Sequence, residues 1–226
     1  WKMPVVTAWS TPGAAVLATS AAGVSMGEAV AGFLVSALLI AIAGFSGIFE
    51  RMLGRIPLSL ASAMLAGVLL RFGIDAFAAI QAAPALVLSM LATWLLARRW
   101  WPRYAVIATL LAGIAAAALA GQLHLAGLRL ELAQPVWTTP RLSLASILGV
   151  ALPLFVVTMA SQNVPGVAAS RAAGSPVPVS PAIGWTGVAS LLLAPFGAFA
   201  LNLAAITAAI CMGPEAHADP ARRYTA

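Results

Sequence analysis

A polar stretch at the end of a long apolar run constrains the fold of this chain more than any other feature. The apolar run begins near residue 142, and the stretch reads TMASQNVPG over residues 158–166. An unpaired polar group in hydrocarbon costs several kcal/mol, so these side chains must face protein or a water-filled cavity. The stretch ends in the helix-breaking pair Pro165-Gly166, and we expect a membrane span over 142–165 to end there.

Two further stretches have a short extended run that leads into a helix start. The first reads VVTAWSTPGAA over residues 5–15, and its Ser and Thr before Pro12 predict an N-cap followed by a half-helix over 12–22. The second reads FALNLAAIT over residues 199–207 and predicts a half-helix over 204–212. Interrupted membrane segments at corresponding positions are the best sequence indication of a transporter's substrate site at the membrane midplane.

The composition is that of an integral membrane protein. Hydrophobic residues make up 62% of the 226 residues and charged residues only 8%, whereas a soluble domain has about 25% charged residues. Long apolar runs between short loops predict helices rather than the alternating strands of a barrel. The net charge of +6 does not predict nucleic-acid binding, because the basic residues lie at the ends of apolar runs. The chain lacks an initiator Met and ends after a basic cluster, so we expect an internal piece of a longer membrane protein.

The apolar runs predict eight membrane crossings, several of them broken. The uninterrupted predicted segments cover residues 26–45, 56–72, 84–97, 104–121 and 142–165, and a short helix over 181–194 ends at Pro195. Residues 122–141 are the longest polar interval, in which 128–132 is predicted as a short surface strand. If Lys2 is cytoplasmic, nine basic residues lie on the cytoplasmic side and three outside, which is the asymmetry that the positive-inside rule expects.

The sequence does not predict an enzyme. It contains no HExxH, no pair of membrane-embedded Asp residues and no Gly-x-Ser-x-Gly. His124 and His217 are interpreted as loop residues, and Cys211 as a small packing residue. One cysteine excludes an internal disulfide and a multi-cysteine metal site, and no cofactor is predicted.

A helix start inside the membrane can bind an anion without a buried Arg or Lys, because it presents free N–H groups and a partial positive charge. Two such starts, after Ser10-Thr11 and near Ala204, can converge on a carboxylate. The candidate substrate-binding residues are the polar and aromatic side chains of the three stretches: Trp9, Ser10, Thr11, Ser161, Gln162, Asn163, Phe199 and Asn202.

Each candidate also has a plainer interpretation. Ser, Thr, Asn and Gln in membrane helices commonly hydrogen-bond a neighbouring helix. Consecutive helix residues point about 100° apart, so Ser161, Gln162 and Asn163 cannot all face one ligand. Taken alone, Trp9 and Phe199 are interpreted as packing residues rather than as ligand-stacking ones. The three polar interruptions taken together favour a binding site more than any single residue does.

Three stretches resemble the bacterial benzoate:proton symporter family. They are the stretches at 5–15 and 158–166 and the stretch ALNLAAITAAICMGPEAH over residues 200–217. The resemblance covers essentially the whole chain. This family is related in fold to uracil/xanthine permeases and sulfate-type anion transporters. The resemblance therefore implies an all-α membrane fold with two intertwined inverted repeats of seven segments, of which the chain would hold the third to the tenth. The two broken segments, at 4–22 and 199–213, would carry short strands.

The resemblance also implies a division into domains. Residues 1–50 and 142–226 would form core-domain segments, with 142–165, 181–194 and the broken segments around the site and a cytoplasmic tail at the end. Residues 51–121 would form gate-domain spans, and 122–141 an extracytoplasmic loop. Acidic residues of the nucleobase permeases contact substrate at positions that here read ASQN and ALN. The absence of a carboxylate fits an anionic substrate, and it leaves the proton carrier unassigned.

The function that the resemblance implies is secondary active transport in the bacterial inner membrane. The substrate would be benzoate or a similar aromatic carboxylate, taken up with protons by alternating access, and a homodimer is compatible with this reading. Two alternatives stay open at this point. One is a permease for nucleobases or another small anion, and the other is a non-transporting membrane subunit.

Overall fold

The structure is a computed structural model in which two short strands pair among helices. It describes residues 5–20, 23–55, 58–123, 134–174, 177–204, 206–213, 216–217, 219 and 222–223. The predicted surface strand at 128–132 lies outside the described residues. The strands are β1 (Thr7–Trp9) and β2 (Leu201–Leu203). The helices are α1 (Thr11–Ser20), α2 (Met26–Phe45), α3 (Ile48–Leu53), α4 (Leu58–Ala82), α5 (Pro84–Trp100), α6 (Ala105–Leu119), α7 (Leu152–Thr158), α8 (Val164–Ala172), α9 (Val179–Leu193) and α10 (Ile206–Cys211).

The chain divides into two compact units, one of residues 1–66 and 134–226 and the other of residues 67–133. In the second unit α5 packs against α6, and Gly113 lies close to Met90. A Cβ on Gly113 would lie 2.9 Å from the Met90 Sδ, so the glycine permits this close approach. The candidate site lies entirely in the first unit.

Four described helical stretches are long and apolar enough to cross a membrane: Met26–Phe45, Pro102–Leu119, Ser146–Ala172 and Val179–Phe196. The mostly helical membrane fold is thereby confirmed, whereas the count of eight crossings and the seven-plus-seven repeat stay predictions. The predicted span at 56–72 overlaps a longer helix, α4, from Leu58 to Ala82, and the predicted span at 84–97 continues to Trp100.

Helix α2 has the predicted bounds, and local chemistry explains where it begins. Ser25 Oγ accepts the Glu28 N–H at 3.4 Å, and the Glu28 carboxylate accepts the Ser25 N–H at 3.0 Å, which is a capping box. Along its length α2 packs directly on α9. A Cβ on Gly187 would lie 2.5 Å from the Ala41 nitrogen, so only glycine allows the two backbones to approach this closely.

The predicted helix end at Pro165-Gly166 is wrong, because the helix continues through this pair to Ala172. A proline ring normally clashes with the carbonyl four residues earlier and removes one N–H. Here a π-helical segment, Met159–Asn163, ends two residues before Pro165, and a second one, Ser146–Ala151, ends two residues before Pro153. The wider π turn moves that carbonyl away from the ring, so each proline is accommodated without a break.

Gly166 has a packing role instead. A Cβ at Gly166 would lie 2.9 Å from the Cβ of Leu203, so the glycine lets α8 lie directly against β2. The other predicted breaks are confirmed. Helix α9 ends in a 3-10 turn, Ala194–Phe196, and Gly197 follows it at φ 90°. The last half-helix, α10, is only six residues long and begins at Ile206 rather than at 204.

Strands β1 and β2 form an antiparallel ribbon with the register Thr7↔Leu203, Ala8↔Asn202 and Trp9↔Leu201. The pairing extends beyond both strands, because the Ser10 N–H donates to the Ala200 carbonyl and the Ala204 N–H to the Val6 carbonyl. The ribbon connects the two buried clusters of the first unit. Leu203 belongs to the cluster around Ile40, Val167 and Ile183, and Ala200 to the cluster around Val30, Val150 and Leu154.

Candidate functional site

The ribbon brings the two predicted broken segments together at the start of α1. Ser10 is fully buried and acts as the N-cap: its Oγ accepts the Gly13 N–H at 3.0 Å. Gly13 in turn lies against α7, since a Cβ there would lie 2.7 Å from the Leu154 Cδ1. The α1 start is therefore fixed between the ribbon and α7.

The capping leaves few free donors at this helix start. The Gly13 N–H is bound by Ser10 Oγ, the Ala14 N–H is bound by the Ser10 carbonyl at 2.8 Å, and Pro12 has no N–H. Thr11 is the first helical residue and is exposed. The sequence predicts several N–H groups that are free to bind a carboxylate. Fewer are free in the structure, because Ser10, which caps the helix, already accepts two of them.

Strand β2 is held on its outer edge by two buried side chains from different helices. The Leu203 N–H donates to Asn163 Oδ1 at 3.0 Å, and the Leu201 N–H donates to Ser190 Oγ at 3.0 Å. The Asn163 Nδ2 lies 3.1 Å from the Met159 Sδ, so both ends of the amide have a partner. Asn163, a candidate substrate ligand, thus has the plainer role of connecting two elements.

Ser190 was not predicted as a site residue from the sequence. Its Oγ donates to the Thr186 carbonyl at 2.9 Å while it accepts from Leu201, so it completes an otherwise open strand edge. A signal for it exists in the sequence: an extended segment in hydrocarbon must find partners for its N–H groups on both edges. A serine in the apolar helix nearest to that segment is one such partner.

The neighbours of Asn163 differ from it. Ser161 is half-buried, and its Oγ donates to the Val157 carbonyl in its own helix. Gln162 is half-buried, and no hydrogen bond of its amide is found among the described residues. The prediction that these consecutive polar side chains have different roles is consistent with this geometry, and Gln162 is the one left available for a ligand.

Asn202 lies at the centre of the ribbon and is fully buried. Its Nδ2 donates to the Ala200 carbonyl at 2.7 Å, and this carbonyl also accepts the Ser10 N–H at 3.2 Å. Ala200 has a φ of 39°, a conformation that alanine rarely adopts, and the Asn202 amide holds its peptide in place. Asn202, Ala200 and Ser10 therefore form one connected group, whereas Asn202 Oδ1 has no partner among the described residues.

Three aromatic rings lie beside this group. The rings of Trp9 and Phe199 contact edge to face, with centroids 5.6 Å apart, and Phe199 lies 5.7 Å from Phe33 of α2. Phe199 is half-buried and packs against the cluster around Val30, whereas Trp9 is 57% exposed. Phe199 is thus mainly a packing residue, and Trp9 presents the ring surface that a ligand can contact.

Two buried hydroxyl groups were not predicted as site residues from the sequence. Thr158 Oγ1 and Ser36 Oγ are fully enclosed and have no hydrogen-bond partner among the described residues. Such groups are costly in a protein interior and are uncommon. Thr158 is the first residue of the polar stretch at 158–166, so its place in that stretch was the available signal.

Interrupted segments that meet at a polar group inside a helical membrane protein are a feature of many transporter folds. The chain belongs to the benzoate membrane transport protein family, BenE, whose family model matches residues 1–226. It is 49% identical over all 226 residues to "Inner membrane protein YdcO" of Escherichia coli (strain K12) and 39% identical to "Benzoate membrane transport protein" of Acinetobacter baylyi (strain ATCC 33305 / BD413 / ADP1). The chain spans 58% and 57% of the length of these two relatives. No solved structure matches the chain.

Proposed function

We propose that the chain forms the substrate-binding part of a secondary active transporter of the inner membrane. It takes up benzoate or a similar aromatic carboxylate together with protons, by alternating access. The observation that supports this most directly is the pairing of β1 with β2, because it gathers Trp9, Ser10, Phe199 and Asn202 from the two ends of the chain. Family membership and the name of the Acinetobacter relative support the substrate class.

The gathered residues suit the two ends of such a substrate. The exposed ring of Trp9 offers an apolar face for an aromatic ring. The exposed Thr11 hydroxyl, the Gln162 amide and the Asn202 amide offer polar contacts for the carboxyl end. In this proposal residues 1–50 and 142–226 act as the core domain and 51–121 as the gate domain of a seven-plus-seven repeat, with a homodimer as the assembly.

Uptake of labelled benzoate by cells that express the complete protein tests this function. Gln162→Ala and Asn202→Ala are each expected to weaken uptake at least tenfold, which corresponds to about 1.4 kcal/mol. Gln81→Ala is the matched control, because Gln81 carries an exposed amide on α4 and is distant in sequence from both strands of the ribbon. Unchanged uptake in both site variants, at equal abundance in the membrane, would contradict the proposed site.

Competition and binding separate the alternatives. Salicylate should compete with labelled benzoate, whereas competition by uracil or sulfate would favour a permease for nucleobases or another small anion. A non-transporting membrane subunit predicts no benzoate-dependent thermal shift. A true ligand at 100 times its dissociation constant should add about 2.7 kcal/mol of stability.

A further inference from the structure

Three fully buried polar atoms of the first unit have no partner among the described residues: Ser36 Oγ on α2, Thr158 Oγ1 on α7 and Asn202 Oδ1 on β2. The last two are a donor-bearing group and an acceptor, and they lie in two of the predicted site stretches. Thr158 Oγ1 carries a hydroxyl proton that finds no acceptor, and Asn202 Oδ1 accepts from no donor, among the described residues. The orientation of the Asn202 amide is fixed by its surroundings: a flipped amide would place Oδ1 against the Ala200 carbonyl, where Nδ2 now donates at 2.7 Å. The unpaired atom is therefore an acceptor and not an N–H donor.

Thr158 lies in α7, the helix that packs against α1 at Gly13. Thr158 lies one helical turn after Leu154, whose Cδ1 abuts Gly13, and one π turn before Asn163, whose Oδ1 holds the Leu203 N–H. Residues one helical turn apart lie on the same face, so the fully buried Thr158 shares the face of α7 on which Leu154 contacts Gly13. Asn202 is tied to the same place through the Ala200 carbonyl, which also accepts the Ser10 N–H.

No charged side chain is buried in the described part of the chain. The buried polar residues of the described part of the chain are all neutral: Ser10, Ser36, Ser146, Thr158, Asn163, Ser170, Thr186, Ser190 and Asn202. The capped start of α1 has its Gly13 and Ala14 N–H groups occupied. A bare carboxylate offers only acceptors, so it needs several donors and would be repelled by the Asn202 Oδ1. A neutral carboxylic acid offers one acceptor and one donor, which is the complement of the two unpaired groups.

We propose that Thr158 and Asn202 bind the substrate's carboxyl group in its protonated form, so that the transported proton travels on the substrate. Thr158 Oγ1 donates to the carbonyl oxygen of the acid, and Asn202 Oδ1 accepts from the acid hydroxyl. Benzoate and a proton combine on the outer side, the acid is carried intact, and on the inner side it dissociates into one benzoate and one proton. No side-chain carboxylate is required as a proton carrier. This inference rests on the proposed function.

Binding to the purified complete protein tests the inference without complications from passive permeation of the acid. A carboxylic acid with an ordinary pKa of about 4 loses its neutral form tenfold per pH unit above that value. The apparent affinity for total benzoate is therefore expected to fall about 100-fold between pH 5 and pH 7. Benzamide, which has a carbonyl and an N–H donor and does not ionise in this range, should displace benzoate and bind equally well at both pH values. Benzenesulfonate, a permanent anion with acceptors only, should not.

The Thr158→Val variant tests the assigned residue. It removes the hydroxyl and keeps the shape, so we expect at least tenfold weaker binding of both benzoate at pH 5 and benzamide. Because the hydroxyl has no partner among the described residues, thermal stability should be unchanged or higher. Thr109→Val is the matched control: it makes the same replacement in α6, where the hydroxyl donates to the Ala105 carbonyl, and should leave binding unchanged.

The outcomes distinguish the two levels of the proposal. Displacement of benzoate by benzenesulfonate but not by benzamide, with affinity independent of pH, would overturn the neutral-acid inference and leave the proposed transport function standing. Full affinity in Thr158→Val would also overturn it. Absence of benzoate binding at every pH would overturn the proposed function itself, and the inference with it.

Discussion

Replacement of Asn163 by alanine removes the side chain that accepts the Leu203 N–H, and this distinguishes a structural role from a substrate-binding one. Leu203 is 3% exposed, so water does not replace the lost acceptor. An orphaned buried N–H costs about 1–3 kcal/mol. Side-chain hydrogen bonds in a membrane protein average only about 0.6 kcal/mol, because the unfolded state in the membrane finds other partners. We therefore expect a loss of roughly 1–2 kcal/mol in the free energy of unfolding.

The assay is unfolding of the purified complete protein in detergent, with benzoate affinity measured separately on the folded fraction. Ser190→Ala should cost a similar amount, since Ser190 holds the Leu201 N–H of the same strand. The double variant should lose less than the sum, because the two side chains support one element. Ser89→Ala is the control: its hydroxyl donates only to the Leu86 carbonyl within α5. Full stability with lost affinity in Asn163→Ala would refute the structural role and return Asn163 to the set of ligands.

Two further predictions concern packing and the aromatic contact. Gly44→Val should destabilise the folded protein by about 1–3 kcal/mol in the same assay, because a Cβ at Gly44 collides with the backbone of Gly184. Unchanged stability would contradict the direct packing of α2 on α9. Trp9→Ala should weaken benzoate binding by about 0.5–1.5 kcal/mol and leave stability nearly intact, because Trp9 is 57% exposed, whereas Phe199→Ala should lower stability. Equal effects of the two variants on stability would show that Trp9 is also a packing residue.

The parts of the fold that depend on local chemistry could be predicted from the sequence. The capping box at Ser25 and Glu28 set the start of α2, and Ser10 before Pro12 set the start of α1 within one residue. The end of α9 followed from the Pro195 and Gly197 signals. Each of these features is decided by residues within about one helical turn of each other.

The rest depended on packing between distant residues. The ribbon joins positions about 200 residues apart, so its register has no local signature. The helix continues through Pro165 because a π-helical segment precedes it. The sequence MASQN contains no residue pattern that predicts a π-helical segment. Asn163 and Ser190 could be recognised as partners of β2 only once the strand's outer edge was located. The Asn202 acceptor could be seen as unpaired only once the Ala200 carbonyl had fixed the amide.

The central claim is that the two interrupted segments pair in one register at the start of α1. Cysteine cross-linking in membranes measures this directly, in the complete protein with Cys211 replaced by serine. Directly opposed residues of an antiparallel pair have Cβ atoms about 4.5–5.5 Å apart, close to the separation of a disulfide, whereas diagonal neighbours lie about 7–8 Å apart. The variant Trp9→Cys with Leu201→Cys should therefore form a disulfide detectable by mass spectrometry, and Trp9→Cys with Leu203→Cys should form little. Equal cross-linking of both pairs, or none in the opposed pair, would contradict the account.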